Sequence, residues 1–259
     1  LPPVVAFPQR VRELAAPTDA PVLRVLGPVD IDNVAPVDEV HRPRLTELAA
    51  FVQLHPAADA SAIDDAMWPN RSRHDHSSVR DSSLAALGGW LVEETDAPAG
   101  LAAARGLTSD WDLWRALLPG DVTQASTEHL EQALGMVRGR PFVGAELRHY
   151  TWATPLRATM VHDITLAAAE LARRRLMEGA WSAAYDATVV GLTVEPSVEA
   201  LWRMQLLAGH ELGDRDLVET ARAGLDDLAS RLGDPLEQRT QQLIADVDAL
   251  DAPTRTHVG

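Results

Sequence analysis

The sequence predicts a mainly α-helical protein in two parts. Residues 22–108 read as a small α+β head of winged-helix type, and residues 109–252 as an all-α array of tetratricopeptide-like helix pairs. Three observations predict this. Gly179 and Gly213 stand 34 residues apart, each closing one periodic apolar run and opening the next, and Ala187 and Ala221 keep the same offset. That period is the length of a tetratricopeptide helix pair, which stacks because one pair cannot bury its own apolar face. The first hundred residues instead give short β-branched runs followed by three short helical patterns, the element order of a winged helix. Finally, 259 residues with 46% hydrophobic and 24% charged side chains have the composition of a folded soluble chain.

Taken in order, residues 1–21 carry five prolines and no sustained period, which predicts a linker with a short helix near Gln9–Ala15. Val22–Val25 and Val29–Ile31 flank Gly27-Pro28 and predict a small hairpin, with a third extended piece near Val37–Val40. Pro43–Leu54 is a helix whose Leu45, Leu48, Ala49 and Val52 share a face. Ser61–Trp68 is a second helix with Ser61 as its N-cap, and His76–Val92 a third, weakened by Gly88-Gly89. The wing would fall over Glu93–Thr108, which is rich in Ala and Gly and does not alternate.

From Ser109 onward only helices are expected, about six of them. Ser126 or Thr127 caps one running to about Arg138, and Thr154 with Pro155 at the first helical position opens a long one to about Met177. Ser182–Leu192, Ser197–Leu212 and Asp214–Leu232 follow. The last opens at Asp234-Pro235-Leu236-Glu237, which has capping-box spacing. Residues 253–259 form a polar tail expected to be disordered.

Composition excludes several chemistries. All 23 basic residues are Arg, so a Walker-type phosphate loop, a Schiff-base lysine and a kinase-type ATP lysine are ruled out. Cysteine is absent, which removes disulfides, thiol nucleophiles and Cys-based zinc sites and fits the cytoplasm as the expected location. There is no nucleophile elbow, no His-Glu-x-x-His and no glycine-rich dinucleotide fingerprint. No catalytic residue, cofactor or metal is therefore expected, and the protein reads as a non-enzyme. His74-Asp75-His76 looks like a metal tripod but lacks further ligands at helical spacing. The longest apolar runs, such as Leu84–Val92, are too short to cross a bilayer, so no membrane contact is expected within the chain. A start at Leu1 and a proline-rich lead-in suggest a piece of a longer protein.

Motif order then points to a family. Asp110-Trp111-Asp112-Leu113-Trp114, Arg138-Gly139-Arg140-Pro141-Phe142 and Trp152 lead into Ala200-Leu201-Trp202-Arg203 and Leu212-Gly213-Asp214-Arg215. Leu232-Gly233-Asp234-Pro235, with Glu237 and Thr240 after it, completes the series. Over roughly 140 residues this resembles the bacterial transcriptional activator domain of SARP-type actinobacterial regulators. Arg44–Pro56, Ile63–Pro69 and Ser78-Val79-Arg80 resemble the winged helix that precedes it in that family. A related arrangement occurs in larger actinobacterial proteins that join such a region to a LysM module and membrane segments. The resemblance implies a transcriptional regulator. One departure stands out: the family's recognition helix carries several arginines after the position of Arg80, where this chain reads Asp81-Ser82-Ser83-Leu84-Ala85-Ala86.

Arg71, Arg73 and Arg80, with His74, His76, Ser77 and Ser78, form the one locally basic cluster. Three uses are open: phosphate contacts at the start of a recognition helix, an arginine pocket for a small anionic nucleotide, or a solvated helix start paired to Asp75 and Asp81. Arg173, Arg174 and Arg175 lie late in a long helix, where cations complement the helix dipole, and are a candidate surface for an acidic protein partner. The five tryptophans Trp111, Trp114, Trp152, Trp181 and Trp202 read as helix-packing anchors rather than a stacking surface. A net charge of −15 weakens any attraction to DNA. Besides the DNA-contacting regulator, two readings stay open: a scaffold for protein partners that does not bind DNA, and the nucleotide sensor.

Overall fold

The computed structural model describes residues 20–69, 73–91, 104, 106–145 and 149–251. The proline-rich lead-in, most of the expected wing and the polar tail lie outside these residues. The fold is mainly helical: a three-stranded sheet and ten α-helices among the described residues.

The hairpin forms where the β-branched runs place it. Strands β1 (Val22–Arg24) and β2 (Asp30–Asp32) pair antiparallel with Leu23 opposite Ile31, and both of these side chains are buried. Gly27 is required in the connection. Its φ is +154°, and a Cβ there would lie 2.9 Å from the Cβ of Arg138. The same connection is gripped by Asp110, whose buried carboxylate accepts from the backbone N–H of Val25 (2.9 Å) and Leu26 (3.2 Å). Burial pushes this carboxyl above its ordinary value, against the pull of those two N–H groups and of Arg138.

The third strand is not at Val37–Val40. Pro36 precedes a turn there, in which the Asp38 carbonyl accepts from His41 and Arg42 and its side chain from Val40, so the segment enters a helix. The third strand, β3 (Thr108–Ser109), runs parallel along the other edge of β1. Three helices complete the head: α1 (Arg42–Leu54), α2 (Ala60–Met67) and α3 (Arg73–Leu91). The N-cap of α2 is Asp59 rather than Ser61; its carboxylate accepts from Ala62 N at 2.9 Å. Leu45, Leu48, Ala49 and Val52 are buried, together with Ile63 and Met67 and with Leu87, Trp90 and Leu91. Gly88-Gly89 does not end α3, because Trp90 beyond it is buried and donates its Nε1–H to the Ala35 carbonyl at 2.9 Å.

Seven helices follow among the described residues, where about six are expected. The additional one, α4 (Asp110–Leu117), is opened by a capping box in which Ser109 and Asp112 each satisfy the other's backbone N–H. Next come α5 (Thr127–Gly135), capped by Ser126 Oγ, and α6 (Thr154–Met177). Two helix pairs then fill the repeats: α7 (Trp181–Val194) with α8 (Glu199–Glu211), and α9 (Arg215–Leu232) with α10 (Gln238–Asp251). Helix α10 begins after Glu237, later than the capping-box spacing predicts. Gly233 closes α9 in the left-handed region, and Glu237 is tethered to α8 by Glu199 and Arg203. Ala187 and Ala221 are buried, as the 34-residue offset requires. Closest approach falls on glycines: a Cβ at Gly191 would meet Leu201 at 2.5 Å, and one at Gly224 the Trp202 ring at 2.3 Å.

The described residues group into two compact bodies. One holds residues 20–120 and 135–162, the other 121–134 and 163–251. Residues 109–120 and 135–162, assigned from sequence to the repeats, thus pack with the head.

Candidate nucleic-acid interface

Helix α3 is positioned by its apolar side. Leu87, Trp90 and Leu91 are buried, and the guanidinium of Arg42 lies over the Trp90 ring, 5.6 Å from its centre. The opposite side is a continuous exposed stripe: Ser77, Ser78, Asp81, Ser82, Ala85, Ala86 and Gly89. These positions recur at helical spacing, so they present one face. That face is small and polar. Its single charge is Asp81, and between residues 77 and 91 it carries no cation.

Arg80 lies beside this stripe and is already engaged. Its Nη1 donates to Asp64 Oδ2 on α2 at 2.7 Å and its Nε to Asp81 at 3.3 Å; the Arg80 and Asp64 side chains are only 16% and 13% exposed. The pair ties α3 to α2. Of the other candidates, Ser77 and Ser78 are exposed, while Arg71 and the side chains of Arg73, His74 and His76 lie outside the described residues. Among the described residues no three His, Asp or Glu side chains come together as a metal site.

The arginine run on α6 is brought together by one acid. Glu170, 8% exposed, accepts from Arg173 at 2.8 and 2.9 Å and from Arg174 at 2.7 Å. Hydrogen bonding from Arg173, and then from Arg174, holds the Glu170 carboxyl below its ordinary value despite burial. Arg174 reaches further, donating to the carbonyls of Ala125 (2.7 Å) and Thr123 (3.0 Å), and so clamps the turn before α5. Arg175 pairs with Glu131 on α5 and with Glu178 at 2.7 Å. Arg173 remains half exposed beside the exposed Met177. Sequence reasoning found the run but not these clamps. Their partners lie up to about fifty residues away, where no local pattern reports them.

The tryptophans are packing anchors. Trp111 and Trp114 are buried and stacked at 6.1 Å. Trp152 meets Phe51, His55, Phe142 and Tyr150 edge-on or tilted, between 5.1 and 6.1 Å. Trp202 sits against Gly224 and donates to the Pro196 carbonyl.

Among solved structures, EmbR of Mycobacterium tuberculosis, determined in complex with a low-affinity phosphopeptide, has a similar fold. The match covers 89% of this chain and 65% of the EmbR chain, with a TM-score of 0.58 and 20% sequence identity. No family model and no curated protein matches the chain. The chain therefore shares the fold of a winged helix followed by helical repeats, and spans about two thirds of EmbR. No helix among the described residues is long and apolar enough to cross a membrane.

Proposed function

We propose that the chain is a cytoplasmic regulatory protein of the SARP type. In this reading the head contacts DNA through the start of α3, and the helical repeats bind a protein partner or pass on a signal. The observation that carries the reading is the likeness to EmbR along 89% of the chain, head and repeats in the same order. Ser77 and Ser78, exposed on α3, are suited to donate to backbone phosphates, with Arg71 and Arg73 supplying charge. No chemistry is assigned to the protein; recognition by surface is its work.

Fluorescence anisotropy with labelled promoter-like duplexes tests this. The intact chain is expected to bind at low salt, and the Arg71→Ala/Arg73→Ala variant about tenfold more weakly, because each lost phosphate contact lowers affinity on every sequence alike. Undiminished binding by that variant removes α3 as the contact.

A specific observation favours a second reading, a protein-interaction scaffold that does not bind DNA. The exposed face of α3 carries Asp81 and no cation between residues 77 and 91, and Arg80 serves Asp64. Under this reading the partner is a peptide, and the phosphopeptide held by EmbR makes phosphorylated peptides the first to assay. The nucleotide-sensor reading is tested by calorimetry against a nucleotide panel, where no heat closes it.

A further inference from the structure

The head contains a cavity of about 580 Å³ at the N-terminus of α1, bounded by the β1–β2 connection and by residues 143–145, 149 and 150. That volume suits a small molecule. Its wall holds several hydrogen-bond donors that have no partner among the described residues. Thr46 and Tyr150 both line it and are only 4% and 8% exposed. Neither hydroxyl has a hydrogen-bond partner among the described residues, and both residues line the cavity. Burial, reinforced by the nearby Glu47 carboxylate, pushes the Tyr150 phenol up, so it stays protonated and able to donate.

The helix end adds to these. In the first turn of α1, the Arg42 N–H is taken by the Asp38 carbonyl and Pro43 has none. The Arg44 N–H has no partner among the described residues, and it lies at the positive end of a thirteen-residue helix. Arg42 uses one Nη on Asp30 (2.6 Å) and the Ile31 carbonyl (3.2 Å), leaving its other N–H groups unengaged among the described residues. The acids nearby are already compensated. Asp30 is held by Arg42. Glu47, 2% exposed, accepts from Arg44 (2.7 Å), His149 (2.9 Å) and the Tyr150 N–H (2.9 Å). Opposite the donors the lining is apolar: Pro28, Val40 and Val143, of which Val40 is 80% and Val143 45% exposed.

We propose that this cavity binds a small amphiphilic anion, a carboxylate or phosphate group carried on an apolar body. The head group takes the Thr46 and Tyr150 hydroxyls, the Arg44 N–H and the Arg42 guanidinium, and the apolar body lies along Val40, Val143 and Pro28. The site is separate from α3 and independent of whether the chain binds DNA.

Calorimetric titration of the intact chain with phenyl phosphate, octanoate and inorganic phosphate tests the assignment. Phenyl phosphate and octanoate are expected to saturate one site at least about tenfold more tightly than inorganic phosphate, since the apolar body adds buried area. Tyr150→Phe and Thr46→Val are each expected to weaken binding about three- to tenfold, the loss of one hydrogen bond. Both should melt at the temperature of the unmodified chain, because neither hydroxyl has a partner among the described residues. Val143→Asp should abolish binding by repulsion. Absence of saturable heat with all three probes overturns the proposal. So does equal affinity for inorganic phosphate and the two amphiphiles, or unchanged affinity in both hydroxyl variants.

Discussion

Arg80 holds two helices of the head together. From its position it is the arginine of a recognition helix, but its guanidinium is committed to Asp64, and both side chains are largely buried. Removing one partner of such a pair strands the other, so Arg80→Ala is expected to lower stability by about 2 kcal/mol, read as a lower urea midpoint at unchanged slope. Any effect of that variant on DNA binding therefore has to be compared with Asp64→Asn, which disturbs the same pair and leaves the arginine in place. Glu170 gives a pH signature. Its carboxyl lies below the ordinary 4.5 in the folded chain, chiefly through Arg173 and then Arg174. The stability it contributes is complete above that ordinary value and is lost as the pH falls through the lower folded one. Melting curves recorded at successively lower pH should show this acid loss, and Glu170→Gln should flatten it. An unchanged acid limb in the variant would show that other carboxylates carry it.

Individual elements show what was legible and why. Caps and breakers are local, so Ser126, Thr154-Pro155, Asp214 and Gly233 mark helix ends in the sequence nearly as the structure has them. The Ser109–Asp112 box that opens α4 is equally local, since its three-residue spacing is the capping signature. What sequence cannot report is pairing across distance. Asp110 closes on residues 25 and 26, Glu47 on residues 149 and 150, and Arg80 on residue 64. Each such pair joins segments with no shared period. Glycine shows the same limit: nothing local marks Gly224, whereas in the structure the Trp202 ring occupies the place of a side chain there. Gly224→Ala is expected to destabilise by about 2 kcal/mol, despite a helix-propensity gain of about 1 kcal/mol. Thermal unfolding measures it, and a stabilised variant would show that α8 and α9 separate more easily than their packing implies.

For the whole molecule, charge and fold pull in different directions. The fold is shared with EmbR from the head through the repeats, whereas the net charge is −15 and residues 163–251 hold seventeen carboxylates against eight arginines. A surface of that sign repels the DNA backbone except where a local cluster overrides it. In the sequence the one locally basic cluster is that of Arg71, Arg73 and Arg80, and Arg80 serves Asp64, so DNA binding by this chain has to rest on two or three phosphate contacts.

The most direct test is the salt dependence of duplex binding by the intact chain. Weak binding is expected, visible at low ionic strength and falling with a log–log slope of about −2 to −3, the release expected for two or three neutralised phosphates. No binding to any duplex at the lowest salt at which the protein stays folded would contradict it, and would leave the head as a protein-binding surface.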